Sequence, residues 1–116
     1  MKVRRIVANI ATRDTDSLAG FYRDVFDLDL LMDLDWIKTL GAEGEAKAQL
    51  SVASEGGSGT AVPDLSIEVD DLDEALDRVR SRSLPIEYGP VTEPWGARRF
   101  FVRDPAGTLL NVLVHG

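Results

Sequence analysis

Apolar and polar positions along the chain fall into a pattern that occurs twice. Ile6 to Ala11 is a short strand-like run, and Thr12-Arg13-Asp14-Thr15-Asp16 follows it with helix-capping residue types. Leu18, Phe21, Tyr22 and Val25 then recur at helical spacing, which predicts an amphipathic helix with those four facing inward. The second half repeats the order. Leu65–Val69 reads as a strand, Asp70-Asp71 as the cap, and Leu72, Ala75, Leu76 and Val79 as the apolar stripe. Asp71 followed by Glu74 has the spacing of a capping box, with Asp in place of Ser or Thr. Three strand candidates trail each helix: Leu28–Asp33, Trp36–Leu40 and Lys47–Ala53 in the first half, then Pro85–Tyr88, Arg98–Arg103 and Thr108–His115. The last two are joined by the turn Asp104-Pro105-Ala106-Gly107. Ser54-Glu55-Gly56-Gly57-Ser58-Gly59 reads as a flexible connector between halves spanning about 1–55 and 60–116. Neither half has enough apolar surface to stand alone, so 1–116 is expected to be a single domain.

Two strand–helix–strand–strand–strand units in tandem resemble the vicinal-oxygen-chelate superfamily, which includes glyoxalase I, extradiol dioxygenases, fosfomycin-resistance enzymes and bleomycin-binding resistance proteins. The resemblance covers nearly the entire chain. Its most specific pieces are Asp14 with Phe21-Tyr22-Arg23-Asp24-Val25, which looks like the family's first helix, and the run from Trp95 to Gly107, which looks like its closing hairpin. The resemblance implies an α+β fold of two βαβββ units, with curled mixed sheets enclosing a concave cavity and helices on the outer face.

Strand parity then assigns side chains to that cavity, because alternate residues face opposite ways. Val7, Asn9 and Ala11 are expected to point inward from the first strand, and Gln49, Ser51 and Ala53 from the fourth. Asp64, Ser66 and Glu68 do so from the fifth, and Leu109, Asn111 and Leu113 from the last. Parity groups Trp36 with Lys38 on the third strand. If Asp104–Gly107 is a four-residue loop, Phe100 lies opposite Asn111, and Arg98, Phe100 and Val102 face the cavity. A one-residue bulge would bring in Arg99 and Phe101 instead. Trp95, in the loop Glu93-Pro94-Trp95-Gly96, is placed either to stack on a planar ligand or to pin the loop down.

Metalloenzymes of the superfamily carry His or Glu at four inward positions, and alignment puts Val7, Gln49, Asp64 and Asn111 there. Valine cannot ligate and the amides are neutral, so no metal site and no cofactor are expected. The chain has no cysteine and one histidine, His115, which leaves no Ser–His or Cys–His nucleophile pair to place in the core. Asp64 and Glu68 share a face but are separated by roughly 13 Å of strand, too far for a carboxylate dyad, although either can act singly as a base.

Charge narrows the partners. A net charge of −7 argues against nucleic acid and anionic membranes. No signal peptide or membrane span is legible, so a cytoplasmic location is expected, and small size together with the resemblance implies a homodimer. The reading that follows is a metal-independent small-molecule-binding protein. It holds a cationic or aromatic compound among Asn9, Trp36, Lys38, Gln49, Ser51, Asp64, Ser66, Glu68, Trp95, Arg98, Phe100 and Asn111. The alternatives are a lyase, isomerase or dioxygenase-like enzyme using Asp64 or Glu68 as base or a weakly held divalent metal, and an interaction module whose sheet face is buried in a dimer.

Overall fold

The computed structural model describes residues 1–42 and 48–115; Lys47, the expected start of the fourth strand, lies outside the described residues. The elements run β1 (Val3–Ala11), α1 (Thr15–Phe26), β2 (Asp29–Asp33), β3 (Ile37–Gly41), β4 (Gln49–Ala53), β5 (Leu65–Val69), α2 (Leu72–Ser81), β6 (Ile86–Thr92), β7 (Ala97–Arg103) and β8 (Leu109–His115). This is the twice-repeated βαβββ order in an α+β fold with mixed parallel and antiparallel pairing. The chain divides into two compact units, Val7–Val62 and a second made of Met1–Ile6 with Pro63–Gly116. No helix among the described residues is long and apolar enough to cross a membrane.

In the Val7–Val62 unit the strands lie in the order β2-β3-β4-β1, with β1 and β4 parallel. The Asp14 carboxylate accepts from the Ser17 N–H and starts α1, and Asp27 ends it in the left-handed conformation. Ala19 of α1 is buried with Leu40 and Val52, against Leu18, Tyr22, Ile10, Leu28 and Leu50. The inward stripe is therefore Thr15, Leu18, Ala19 and Tyr22. Phe21 and Val25, expected inside, are exposed, because the helix rolls its small residue Ala19 onto the sheet. The Gly/Ser connector is a closed turn instead of a loose one. Gly56 N–H donates to the Thr60 carbonyl (2.8 Å), and Thr60 N–H and hydroxyl both donate to the Gly57 carbonyl.

In the second unit the order is β1-β5-β8-β7-β6, and β5 pairs parallel with β8. Asp71 caps α2 by accepting from the Glu74 N–H at 3.0 Å, as its spacing predicts. Leu72, Ala75 and Leu76 pack with Val69, Phe100, Val102 and Val112, flanked by Val79 and Ile67. Because Arg103 pairs with Leu109, the β7–β8 connection is five residues, Asp104 to Thr108. The Asp104 carboxylate holds that turn by accepting from the Ala106 and Thr108 N–H groups.

Candidate functional site

The five-residue turn moves β7 by one pleat relative to the four-residue expectation, so every side chain on it changes face. Phe100 pairs with Val112 and packs under α2, fully buried, while Arg98 on the same side reaches Asp73 of that helix at 3.0 Å. Arg98, Phe100 and Val102 are thus on the helix-covered side, and the expectation that they face a ligand is corrected. Arg99 and Phe101 take their place on the face away from α2.

That face is built in rows across the sheet. Cross-strand register pairs Ser66 with Asn111, Asn111 with Phe101, and Phe101 with Tyr88, so these four side chains form one row over β5, β8, β7 and β6. Asn111 Nδ2 donates to Ser66 Oγ at 3.1 Å. Asn111 is 8% exposed, and its buried Oδ1 accepts no hydrogen bond from the described residues. At the other end of the row the rings of Tyr88 and Phe101 stand 5.2 Å apart. The next row carries Glu68, Leu113 and Arg99.

Arg99 is enclosed. Its guanidinium carbon lies 4.7 Å from the Phe101 ring centre, 5.0 Å from Trp95 and 5.4 Å from Tyr88. Its Nε donates to Glu93 Oε2 at 2.7 Å, and the Tyr88 hydroxyl donates to the same carboxylate at 3.0 Å. Arg99 is 3% exposed and Glu93 is 5% exposed, so this is an ion pair held away from water among three rings. A Cβ at Gly89 would sit 2.5 Å from the Arg99 carbonyl oxygen, so β6 can pass this close to β7 only with glycine there. Of this cluster the expected list held Trp95 alone. Turn length was the missing signal for Arg99 and Phe101.

The acidic residues on this face are matched. Asp64 accepts from the Leu109 N–H at 2.9 Å, and Glu68 Oε1 lies 3.2 Å from Arg5 Nε and 3.8 Å from His115 Nε2. His115 ends β8 beside Glu68, with its side chain 51% exposed.

In the Val7–Val62 unit, the face away from α1 carries Asn9, Gln49 and Ser51, as parity predicts. Ser51 pairs with both Asn9 and Thr39, and its hydroxyl is 2.8 Å from that of Thr39. Trp36 is half-buried just before β3, where its carbonyl accepts from Ser54 N–H. Lys38 is on the opposite, α1-facing side and is 3% exposed, with its ammonium 2.8 Å from Asp33 and 3.2 Å from Asp16. Its assignment to the ligand face is corrected too. The hydrogen bond to Asp33 raises the Lys38 pKa and lowers that of Asp33.

A divalent metal does not fit the four positions aligned with the family's ligands. Val7 has no donor atom, Asp64 already accepts from a backbone N–H, and the Asn111 amide donates to Ser66. The repeat itself also separates two of the four. Val7 and Asp64 each precede a helix cap, Asp14 and Asp71, by the same interval. The pairings Ala8↔Leu50 and Leu65↔Leu110 then make Gln49 the counterpart of Leu109, and Ser51 the counterpart of Asn111. Among the described residues no group of three or more His, Asp or Glu side chains is placed to hold a metal ion.

Comparison with known proteins gives one sequence match and many structural ones. The sequence pattern of the Glyoxalase/Bleomycin resistance protein/Dioxygenase superfamily matches residues 4–112. No curated protein matches by sequence. Among solved structures, one described as NAD-dependent benzaldehyde dehydrogenase from Legionella pneumophila superposes with a TM-score of 0.79 at 14% identity, covering 97% of this chain and 100% of that one. A methylmalonyl-CoA epimerase variant from Streptomyces coelicolor, in complex with 2-nitronate-propionyl-CoA, gives 0.73 at 17% identity, covering 99% of each chain. The methylmalonyl-CoA epimerase of Mycobacterium tuberculosis gives 0.61 at 19% identity, covering 98% of this chain and 87% of that one. At such identities the likeness is one of fold.

Proposed function

Because the chain belongs to the Glyoxalase/Bleomycin resistance protein/Dioxygenase superfamily, we propose that it is a binding protein that takes a small, partly aromatic molecule on the face of its second unit away from α2, without a transition metal. The observation that carries this is the row Ser66–Asn111–Phe101–Tyr88, polar at one end and aromatic at the other, with Trp95 fixed beside it. Binding sites combine apolar and aromatic walls with a few placed polar groups, and this row has that composition. A screen of small aromatic compounds by protein-observed NMR tests it. Shifts concentrated on Ser66, Asn111, Phe101 and Leu113 support the reading, and shifts elsewhere remove it. Metal analysis of the purified protein tests the other half. One zinc, nickel or iron per chain, lost on chelation together with thermal stability, overturns metal independence.

A second reading, a lyase or isomerase, is favoured by Glu68, a carboxylate set against Arg5 and His115. Methylmalonyl-CoA in deuterated water is its test. Label entering the substrate at a rate that Glu68→Gln abolishes would replace binding with catalysis as the function. The reading includes a homodimer, supported by the exposed apolar side chains of Phe21, Val25 and Phe26 on α1 and of Leu30 and Leu31 on β2.

A further inference from the structure

We infer that the ligand of this face is a neutral aromatic molecule bearing one N–H or O–H donor, which is received by Asn111 Oδ1 while the ring lies against Tyr88. The inference rests on the binding reading above and names the chemistry that the face selects.

Two independent observations carry it. The first is charge. Glu93 is matched by Arg99, Glu68 by Arg5, and Asp64 by the Leu109 N–H. A charged ligand of either sign would compete with partners already in place. The acidic residues that suggested a cationic ligand are therefore spent within the protein, and the face favours a neutral molecule. The second is an acceptor without a donor. Asn111 gives its Nδ2 protons toward Ser66, while its buried Oδ1 receives no hydrogen bond from the described residues. Buried polar atoms are nearly always paired, and one that is not marks a place where a partner group belongs. An amide oxygen accepts only, so the complementary group is a donor. Its register neighbour on β7 is Phe101, whose ring faces Tyr88 at 5.2 Å. Ser66 and Tyr88, at the two ends of the row, are half-buried and keep part of their surface. A flat ring on the aromatic end thus brings its own hydroxyl or N–H to the polar end.

Matched probes test this on the intact protein. Phenol and anisole share ring and size but differ in the donor; benzylammonium and benzoate add charge of either sign. In titrations followed by ¹H–¹⁵N spectra, phenol is expected to shift the Asn111 side-chain amide and to bind about fivefold more tightly than anisole, the worth of one ordinary hydrogen bond. It is also expected to bind more tightly than either charged probe. Asn111→Leu, which keeps the volume and removes the acceptor, is expected to bring phenol and anisole within about twofold of each other while anisole binds as before. Should that variant not fold, the phenol-to-anisole ratio on the parent protein still decides. Anisole equal to or better than phenol overturns the inference, as it would if the amide presented its NH₂ to the ligand instead. Tighter binding of benzylammonium or benzoate at the same residues overturns it and leaves the binding reading standing. If none of the four probes perturbs the face, both fall.

Discussion

Phe100 and Arg98 are two residues apart on one side of β7 and should respond oppositely to truncation. Phe100 has no exposed surface and packs among Val69, Leu76 and Val112, so Phe100→Ala is expected to cost about 3–5 kcal/mol in urea denaturation. Arg98 holds an exposed aspartate, and Arg98→Ala is expected to change stability by under about 1 kcal/mol. Near-equal effects would mean that the β7 register described above is wrong. Asn111→Leu is expected to raise the melting temperature of the ligand-free protein, because an unpaired buried acceptor costs about 1–3 kcal/mol and the leucine removes it. Much of this was legible in the sequence. Parity placed Asn9, Ser51, Ser66 and Asn111 on the faces away from the helices because each is flanked on both sides by apolar residues, most of which the helices cover. It failed for Phe100, whose neighbour Phe101 is equally apolar, and for Lys38, whose charge gives no sign of an inward position, so neither strand shows its face by alternation alone. Nothing in the sequence distinguishes a four-residue Asp104 turn from one closed at Thr108 by the aspartate's own side chain.

At the scale of elements, the β2–β3 hairpin is tied to α1 by one buried ammonium. Asp33 has its pKa lowered, chiefly by the Lys38 hydrogen bond, so its contribution to stability is present above its ordinary 3.8 and disappears as pH falls through the lowered value. Lys38 has its pKa raised, chiefly by Asp33, so its contribution is complete below 10.5 and is lost as pH climbs through the raised value. Melting curves across both limbs are expected to show these losses, and Lys38→Met is expected to flatten the alkaline one. A parent protein with no alkaline decline would contradict the pairing. The Glu93–Gly96 loop is held differently, by a pair already desolvated. Arg99→Met leaves Glu93 buried without its cation and is expected to cost about 3–5 kcal/mol. Adding Glu93→Gln should recover part of that. The Trp95 emission, read in a Trp36→Phe background, should shift to the red as the indole loses its guanidinium partner.

For the whole molecule, the exposed apolar side chains argue for association. Phe21, Phe26 and Tyr22 form a ring cluster on α1, and Phe26 is 59% exposed. A second copy of the chain covering this surface is expected to give a dimer at micromolar concentration in light scattering. Phe26→Asp combined with Val25→Asp is expected to give a monomer that remains folded. A parent protein already monomeric at that concentration would remove the homodimer from the reading. No sequence pattern announced this surface, because Phe21 and Val25 sit at the same helical spacing as a core stripe. Only the small Ala19 decides which way the helix turns.

The pairing of chain ends in the second unit has a consequence during synthesis. Arg5 Nη2 lies 3.4 Å from His115 Nε2, a contact that spans 110 positions of chain. The Lys2 N–H donates to Asp70, so the first residues depend on partners made long after them. On the ribosome, the Val7–Val62 segment has all its strands while β8 is still unsynthesised. Met1–Ile6 must meanwhile wait without its own unit. Contacts of such long sequence separation form late and set the slow step of folding. The segment Met1–Ile6 of a nascent chain should therefore stay open to proteases until β8 has left the exit tunnel. Its protection thus reports that β8 has been made and paired.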